Sequence, residues 1–142
     1  MTRLNWIRLL LGTLVAAVIM FFTDGFFHER MVGTDWTAVY SNLGVPEPQH
    51  DASGITYFVI FELGRAFTAI FLYALMRAFF GAGPGTAVIA AIVGWIAFSV
   101  TGPAEFVPLG FYSHALWWKV AAFQLITSVA AVLAGAALYR DT

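Results

Sequence analysis

The chain has 142 residues, of which 61% are hydrophobic and 11% are charged, and its formal net charge is −1. A soluble domain of this size has too little interior to bury so much apolar surface, so the composition indicates an integral membrane protein. The near-neutral charge and the absence of any Lys/Arg cluster exclude nucleic acid as an expected partner. The absence of cysteine excludes disulfides, thiolate metal sites and a cysteine nucleophile.

Four apolar segments are long enough to cross a bilayer as helices, over residues 5–27, 55–80, 85–101 and 113–139. The first has the arginine-then-apolar order of a signal peptide, but the stretch after it, FFTDGFFHER, lacks a small-residue cleavage pattern, so we predict that it is uncleaved. Gly102-Pro103 is predicted to end the third helix, and Ser113 to cap the fourth. The predicted fold is all-α: residues 1–142 form a single domain, an antiparallel bundle of four transmembrane helices.

The loop between the first two spans, residues 28–54, contains a predicted short helix in the stretch TDWTAVYSNLG. Thr34 or Asp35 is expected to cap it, and Gly44 to end it. One face of this helix is aromatic and aliphatic, which favours a position at the membrane interface or over the bundle. That face comprises Trp36, Val39, Tyr40 and Leu43.

The basic residues predict the orientation of the chain. Four arginines fall on one side of the predicted spans, which we assign as cytoplasmic, so that both termini are cytoplasmic. They are Arg3, Arg8, Arg77 and Arg140. Seven of the eight acidic residues lie on the opposite side or in the outer half of the spans.

Glu62 and Arg65 lie one turn apart inside the second span, where charged side chains are costly. Counting at the helical rise places Arg65 ~18 Å above Arg77, in the outer half of the bilayer. The same counting brings a set of polar side chains to overlapping heights, and we predict that they form an intramembrane polar cluster. Its members are Asp24, Glu62, Arg65, Glu105 and Gln124. Such a cluster either fixes the register of the helices or binds a ligand, an ion or a partner.

Two histidines near this predicted cluster, His28 and His114, are candidates for binding a ligand, a metal or, as axial ligands on facing helices, a haem. No HxxxH, HExxH or paired ExxH spacing supports a metal, and the cofactor stays unknown. The serines are not in a nucleophile-elbow context, and GAGPGT lacks the lysine of a P-loop, so we expect no enzyme.

Small residues four apart recur in three of the predicted helices and favour close helix packing in lipid. The pairs are Gly12 and Ala16, Ala90 and Gly94, and Ala131 and Gly135.

The stretch YALMRAFFGAGPGTAVIA, residues 73–90, resembles a pattern found in small four-span bacterial membrane proteins that have no assigned activity. The matching positions are Tyr73, Arg77, Phe80-Gly81 and Gly83-Pro84-Gly85-Thr86-Ala87, while Ala82 stands where that pattern has a proline. The stretch DGFFHERMVGTDWTAVYSNLG is similar to the exit from their first helix. The resemblance implies a bacterial origin, hence the inner membrane, and the four-span topology.

Three hypotheses about function follow. The first is a small non-catalytic membrane protein in contact with the lipid bilayer, acting as an accessory subunit of a larger membrane complex or as a homo-oligomer. The second is a protein that binds a lipid, quinone, pigment, haem or metal through the predicted cluster. The third is an oligomeric channel or carrier, although the inner half of every span has few polar residues.

Overall fold

The computed structural model describes residues 4–48 and 51–140, so Arg3, one of the four orientation markers, lies outside the described residues. These residues form six α-helices in order, with one π-helical segment between the fourth and the fifth. They are α1 (Trp6–Arg30), α2 (Gly33–Leu43), α3 (Ala52–Phe80), α4 (Pro84–Trp95), the π segment (Ile96–Thr101), α5 (Gly102–Ala104) and α6 (His114–Leu138).

The predicted all-α four-helix bundle is confirmed. α1 and α4 each pack against both α3 and α6, which closes the four long elements into a ring. Neighbours run antiparallel: Trp6 at the start of α1 stacks on Phe71 late in α3, whereas Asp24 near the end of α1 contacts Arg65 earlier in α3. We refer to the end of the bundle that carries α2 as the α2 end.

Among the described residues, four helical stretches are long and apolar enough to cross a membrane: Trp6–Arg30, Ala52–Phe80, Pro84–Ala104 and His114–Leu138. Their outward faces carry large apolar side chains, among them Ile7, Phe22 and Ile126, each more than two-thirds exposed within the single chain. Such a surface is stable in lipid and not in water. The chain is therefore a multi-pass membrane protein.

The helix starts follow local capping chemistry. The side chains of Asn5, Asp51 and Ser113 each accept a hydrogen bond from a backbone N–H three residues later. These bonds satisfy amides that have no partner within the helix. Ser113 thus caps α6 as predicted, and Asp51 caps α3, which begins at Ala52, three residues before the predicted span.

The prediction that Gly102-Pro103 ends the third span is wrong, because the helical stretch continues to Ala104. Pro103 has no N–H to donate, and its ring would crowd the carbonyl of Ser99 in a regular α-helix. The wider π segment accommodates this: the Gly102 amide bonds to the carbonyl of Ala97, and the Thr101 hydroxyl donates to the carbonyls of Ile96 and Ala97. The proline therefore widens the helix instead of ending it.

α1 and α6 approach most closely where Gly12 faces Gly135. A Cβ added to Gly12 would lie 2.6 Å from the carbonyl oxygen of Gly135, and one added to Gly135 would lie 2.8 Å from Cδ1 of Ile70. Ala16 and Ala131, the other members of their small-residue pairs, are fully buried in the same core. The small side chains let the two backbones meet in van der Waals contact, which drives helix association in lipid.

α2 begins at Gly33, so the expected caps at Thr34 or Asp35 are wrong; Val32 precedes the helix and makes no side-chain cap. Gly44 ends it as predicted, in the left-handed conformation (φ 66°) that glycine adopts without a steric cost. Val39 is buried and Trp36 and Tyr40 are half-buried, while Leu43 is exposed. The predicted apolar face therefore packs on the bundle through three of its four residues.

Candidate functional site

Asp24 lies at the centre of a set of polar side chains between the helices and is 3% exposed. Its Oδ2 accepts hydrogen bonds from Arg65 Nη1 at 2.6 Å and from Gln124 Nε2 at 2.8 Å. Its Oδ1 accepts one from the hydroxyl of Thr127 at 2.9 Å. One carboxylate on α1 is thus bonded to side chains of α3 and α6.

Arg65 connects three helices. Its Nη1 donates to Asp24 and also to both carboxylate oxygens of Glu62, at 3.0 and 3.2 Å. Its Nη2 donates to the hydroxyl of Ser128 on α6 at 3.1 Å. The guanidinium carbon lies 5.5 Å from the ring centroid of Phe61, within the range of a cation–π interaction.

We call this set the buried polar cluster. It consists of Asp24, Glu62, Arg65, Gln124, Thr127 and Ser128, all of them buried. Burial in a low-dielectric interior strengthens the bonds between charged groups and makes any missing bond costly. The arrangement therefore holds α1, α3 and α6 in one rotational and axial register.

The structure separates Glu105 from the cluster that the sequence predicted. Glu105 follows α5, where its backbone N–H donates to the carbonyl of Pro103, and its side chain is exposed. Within residues 4–48 and 51–140 this side chain makes no hydrogen bond or ion pair with Asp24, Glu62 or Arg65. The helical stretch of the third span continues to Ala104, and Glu105 follows it without joining Asp24, Glu62 or Arg65. Its inclusion in the cluster was therefore wrong.

His28 belongs to a contact between α1 and α2. Its Nδ1 accepts a hydrogen bond from the indole N–H of Trp36 at 2.7 Å. Trp36 also packs edge-on against Tyr112, next to the apolar cluster of Phe27, Val32, Val39, Leu116 and Val120. Since an indole only donates, Nδ1 carries no proton and the imidazole is neutral. Nδ1 of His28, one of the two nitrogens with which this residue could bind a metal or a haem, is therefore already hydrogen-bonded to Trp36 of α2.

His114 is exposed at the start of α6, where its ring lies edge-on to Trp117. In the part of the chain that the structure describes, no group of three or more His, Asp or Glu residues is placed to hold a metal ion. The two histidines therefore do not form a preorganised metal centre with the acids of the cluster.

Little space adjoins the buried polar cluster. A void of about 10 Å³ lies beside Arg65 and Ser128, and it is also lined by Met20, Ala69, Ala91, Gly94 and Trp95. A space of this size holds at most one water, whereas small-molecule sites enclose ~300–1,000 Å³. A larger concavity, about 700 Å³, is an open groove along the outward face of α1 between Phe21 and Arg30.

Sequence reasoning missed Thr127 and Ser128. They follow Gln124 by three and four residues, so all three share one face of α6. That spacing was a usable signal, but hydroxyls are common in transmembrane helices because they can bond to their own backbone. Their contacts with Asp24 and Arg65 became visible only in the packed bundle.

Comparison of the chain with protein-family models, with curated proteins and with solved structures finds no match. The resemblance of residues 73–90 to four-span bacterial membrane proteins accordingly stays a prediction. Inference about function rests on the geometry of the bundle and of its buried polar cluster.

Proposed function

We propose that the protein is a small non-catalytic membrane protein that acts through its outer surface, as an accessory subunit of a larger membrane complex or as a homo-oligomer. The observation that carries the proposal is that the buried polar groups are hydrogen-bonded to one another inside the bundle and leave little space for a ligand. Arg65 and Gln124 both donate hydrogen bonds to Asp24, and the void beside Arg65 is about 10 Å³. Interactions with other molecules are therefore expected at the surface.

The same observation weighs against the ligand hypothesis at the predicted cluster. A haem, quinone or pigment needs a cavity far larger than the void beside Arg65. Entry of such a ligand would require α1, α3 and α6 to separate and their charged contacts to break. Transport through one chain meets the same obstacle, because the middle of the ring is filled by buried residues such as Ile70, Met20 and Val132.

The proposed orientation places the α2 end outside the cytoplasm and both termini inside, in the inner membrane of a bacterium. It rests on the positions of the described residues Arg8, Arg77 and Arg140, which lie at the end opposite α2. Cysteines introduced at Thr37 on α2 and at Ala82 in the connection between α3 and α4 test it, because both positions are exposed outside the four spans and the chain has no cysteine of its own. A membrane-impermeant maleimide should label intact cells at residue 37 only; labelling at residue 82 only would reverse the orientation.

The subunit proposal is tested on native membranes extracted into lipid nanodiscs without detergent exchange. Native mass spectrometry is expected to show the chain with another membrane protein at fixed stoichiometry, or as several copies of itself. The proposal would be overturned if the chain, at its native expression level, were detected only as a monomer. The result should be the same in nanodiscs formed with two different polymers. Ser41→Cys cross-linking on exposed α2 then distinguishes copies of the chain from a different subunit.

A further inference from the structure

The charges in the buried polar cluster do not balance. The cluster contains two carboxylates, Asp24 and Glu62, and one guanidinium, Arg65; the other three members are uncharged. If every ionisable group were charged, the cluster would carry a net charge of −1 inside the membrane. An uncompensated buried charge is costly, so a proton or a further cation is required.

Among residues 4–48 and 51–140, no neighbouring side chain supplies that cation. The third span, Pro84–Ala104, contains no charged residue. On α1, His28 lies one turn from Asp24 and is neutral, because its Nδ1 accepts from Trp36. On α6, Lys119 is paired with Asp35 of α2 at 2.8 Å.

A metal ion does not fit the available space. The void beside the cluster is about 10 Å³, and the residues with polar side chains that line it are Arg65, Ser128 and Trp95. A guanidinium repels cations, and neither carboxylate lines the void. A proton bound directly to a carboxylate needs no extra space.

The hydrogen bonds indicate which carboxylate holds the proton. Asp24 accepts from three different side chains, a pattern that favours the ionised form. Within the described part of the chain, the carboxyl of Glu62 accepts only from Arg65 Nη1, which it shares with Asp24. Because oxygens of both acids lie within 3.0 Å of that nitrogen, they are less than ~6 Å apart, a separation that disfavours two negative charges.

We propose that the buried polar cluster is a proton-binding site in which Glu62 is a neutral carboxylic acid at pH 7 and Asp24 is the ionised partner of Arg65. The side chain of Glu62 is 8% exposed, compared with 4% for Asp24, so Glu62 is the less enclosed of the two acids. It also lies on the side of Arg65 nearer the α2 end. This inference does not depend on the chain's being a subunit.

Infrared spectroscopy of the full chain in lipid nanodiscs at pH 7 tests the proposal. The wild type should show a carbonyl band of a protonated carboxylic acid, which moves to lower frequency when glutamate carries ¹³C in its side-chain carboxyl and does not move when aspartate does. This labelling needs no substitution, so it does not depend on any variant's folding. The absence of the band, or a shift with labelled aspartate, would overturn the proposal.

Two variants then assign the band to a residue. Glu62→Gln should lose the whole band, while Glu105→Gln, which changes an exposed glutamate outside the cluster, should keep it. Asp24→Asn should lose it as well, because the remaining pair of Glu62 and Arg65 is neutral without an added proton. A band that persists in folded Glu62→Gln would place the proton elsewhere and contradict the proposal.

Discussion

Arg65 of α3 and Asp24 of α1 form an ion pair with an Nη1–Oδ2 distance of 2.6 Å, and both side chains are at most 4% exposed. A charged pair buried this deeply stabilises the folded state little more than an apolar pair of the same shape, because both charged groups lose their hydration. Its effect is clearest when one partner is removed, since the other is left buried and unpaired. The pair therefore makes the register of α1 against α3 strongly specific.

Replacing Arg65 by leucine should destabilise the bundle by ~3–5 kcal/mol, because Asp24 would stay buried without its counter-ion. Equilibrium unfolding in mixed micelles measures this loss. The matched control is Lys119→Met, which removes a pair with Asp35 whose members are 51% and 30% exposed and should cost ~1 kcal/mol or less. Equal losses in the two variants would show that the burial of the Arg65 pair has no energetic consequence.

Thr127→Val should cost ~1–3 kcal/mol, because Oδ1 of Asp24 would lose its donor while the volume of the side chain is conserved. Thr56→Val is the control, since the hydroxyl of Thr56 is exposed and bonds only to a carbonyl of its own helix. The same unfolding assay compares the two. A Thr127 variant as stable as the Thr56 variant would mean that water replaces the hydroxyl at Asp24.

Gly135→Ala should destabilise the contact between α1 and α6 by ~1–3 kcal/mol, because overpacking forces backbones apart. The added methyl group would meet the carbonyl of Gly12 and lie 2.8 Å from Cδ1 of Ile70. Gly64→Ala on the outward face of α3 has no atom within 4 Å of the new methyl group and should be neutral or slightly stabilising. Thermal unfolding of the two variants side by side gives the comparison, and a stabilised Gly135 variant would be evidence against close backbone packing.

Trp36→Phe should loosen α2 from the bundle, because it removes the hydrogen bond to His28 and part of the contact with Tyr112. Hydrogen exchange measured by mass spectrometry should show faster exchange over Gly33–Leu43 and unchanged exchange over α3. Trp118→Phe, at a tryptophan that is 53% exposed, should change neither region. Unchanged exchange of α2 in the Trp36 variant would mean that the other apolar contacts hold it.

Alkaline pH should release α2. Burial, and to a smaller extent Tyr40, raises the pKa of Tyr112, and burial together with Glu47 raises the pKa of Tyr40. A raised pKa in the folded state means that the neutral phenol stabilises it; this contribution is complete below the unfolded value of about 10 and is lost as pH rises through the folded value. Ultraviolet titration should show Tyr112 ionising late, by difference from Tyr112→Phe, and ionisation at or below the ordinary value would contradict the packing.

The sequence alone determined the fold class and the axial positions of the polar groups. Four long apolar segments require helices in lipid, and a constant rise per residue converts residue number into depth. Counting from arginines at the membrane edges therefore brought Asp24, Glu62, Arg65 and Gln124 to one level, where the structure joins them.

Only the tertiary structure decided which faces of the transmembrane helices contact one another. The transmembrane helices are apolar nearly all round, so their sequences contain little information on rotation about their axes. For this reason Thr127 and Ser128 were missed, Glu105 was wrongly included, and the pairing of Gly12 with Gly135 could not be deduced. Rotation is set by packing and by the paired charges at Arg65, which exist only once distant helices are side by side.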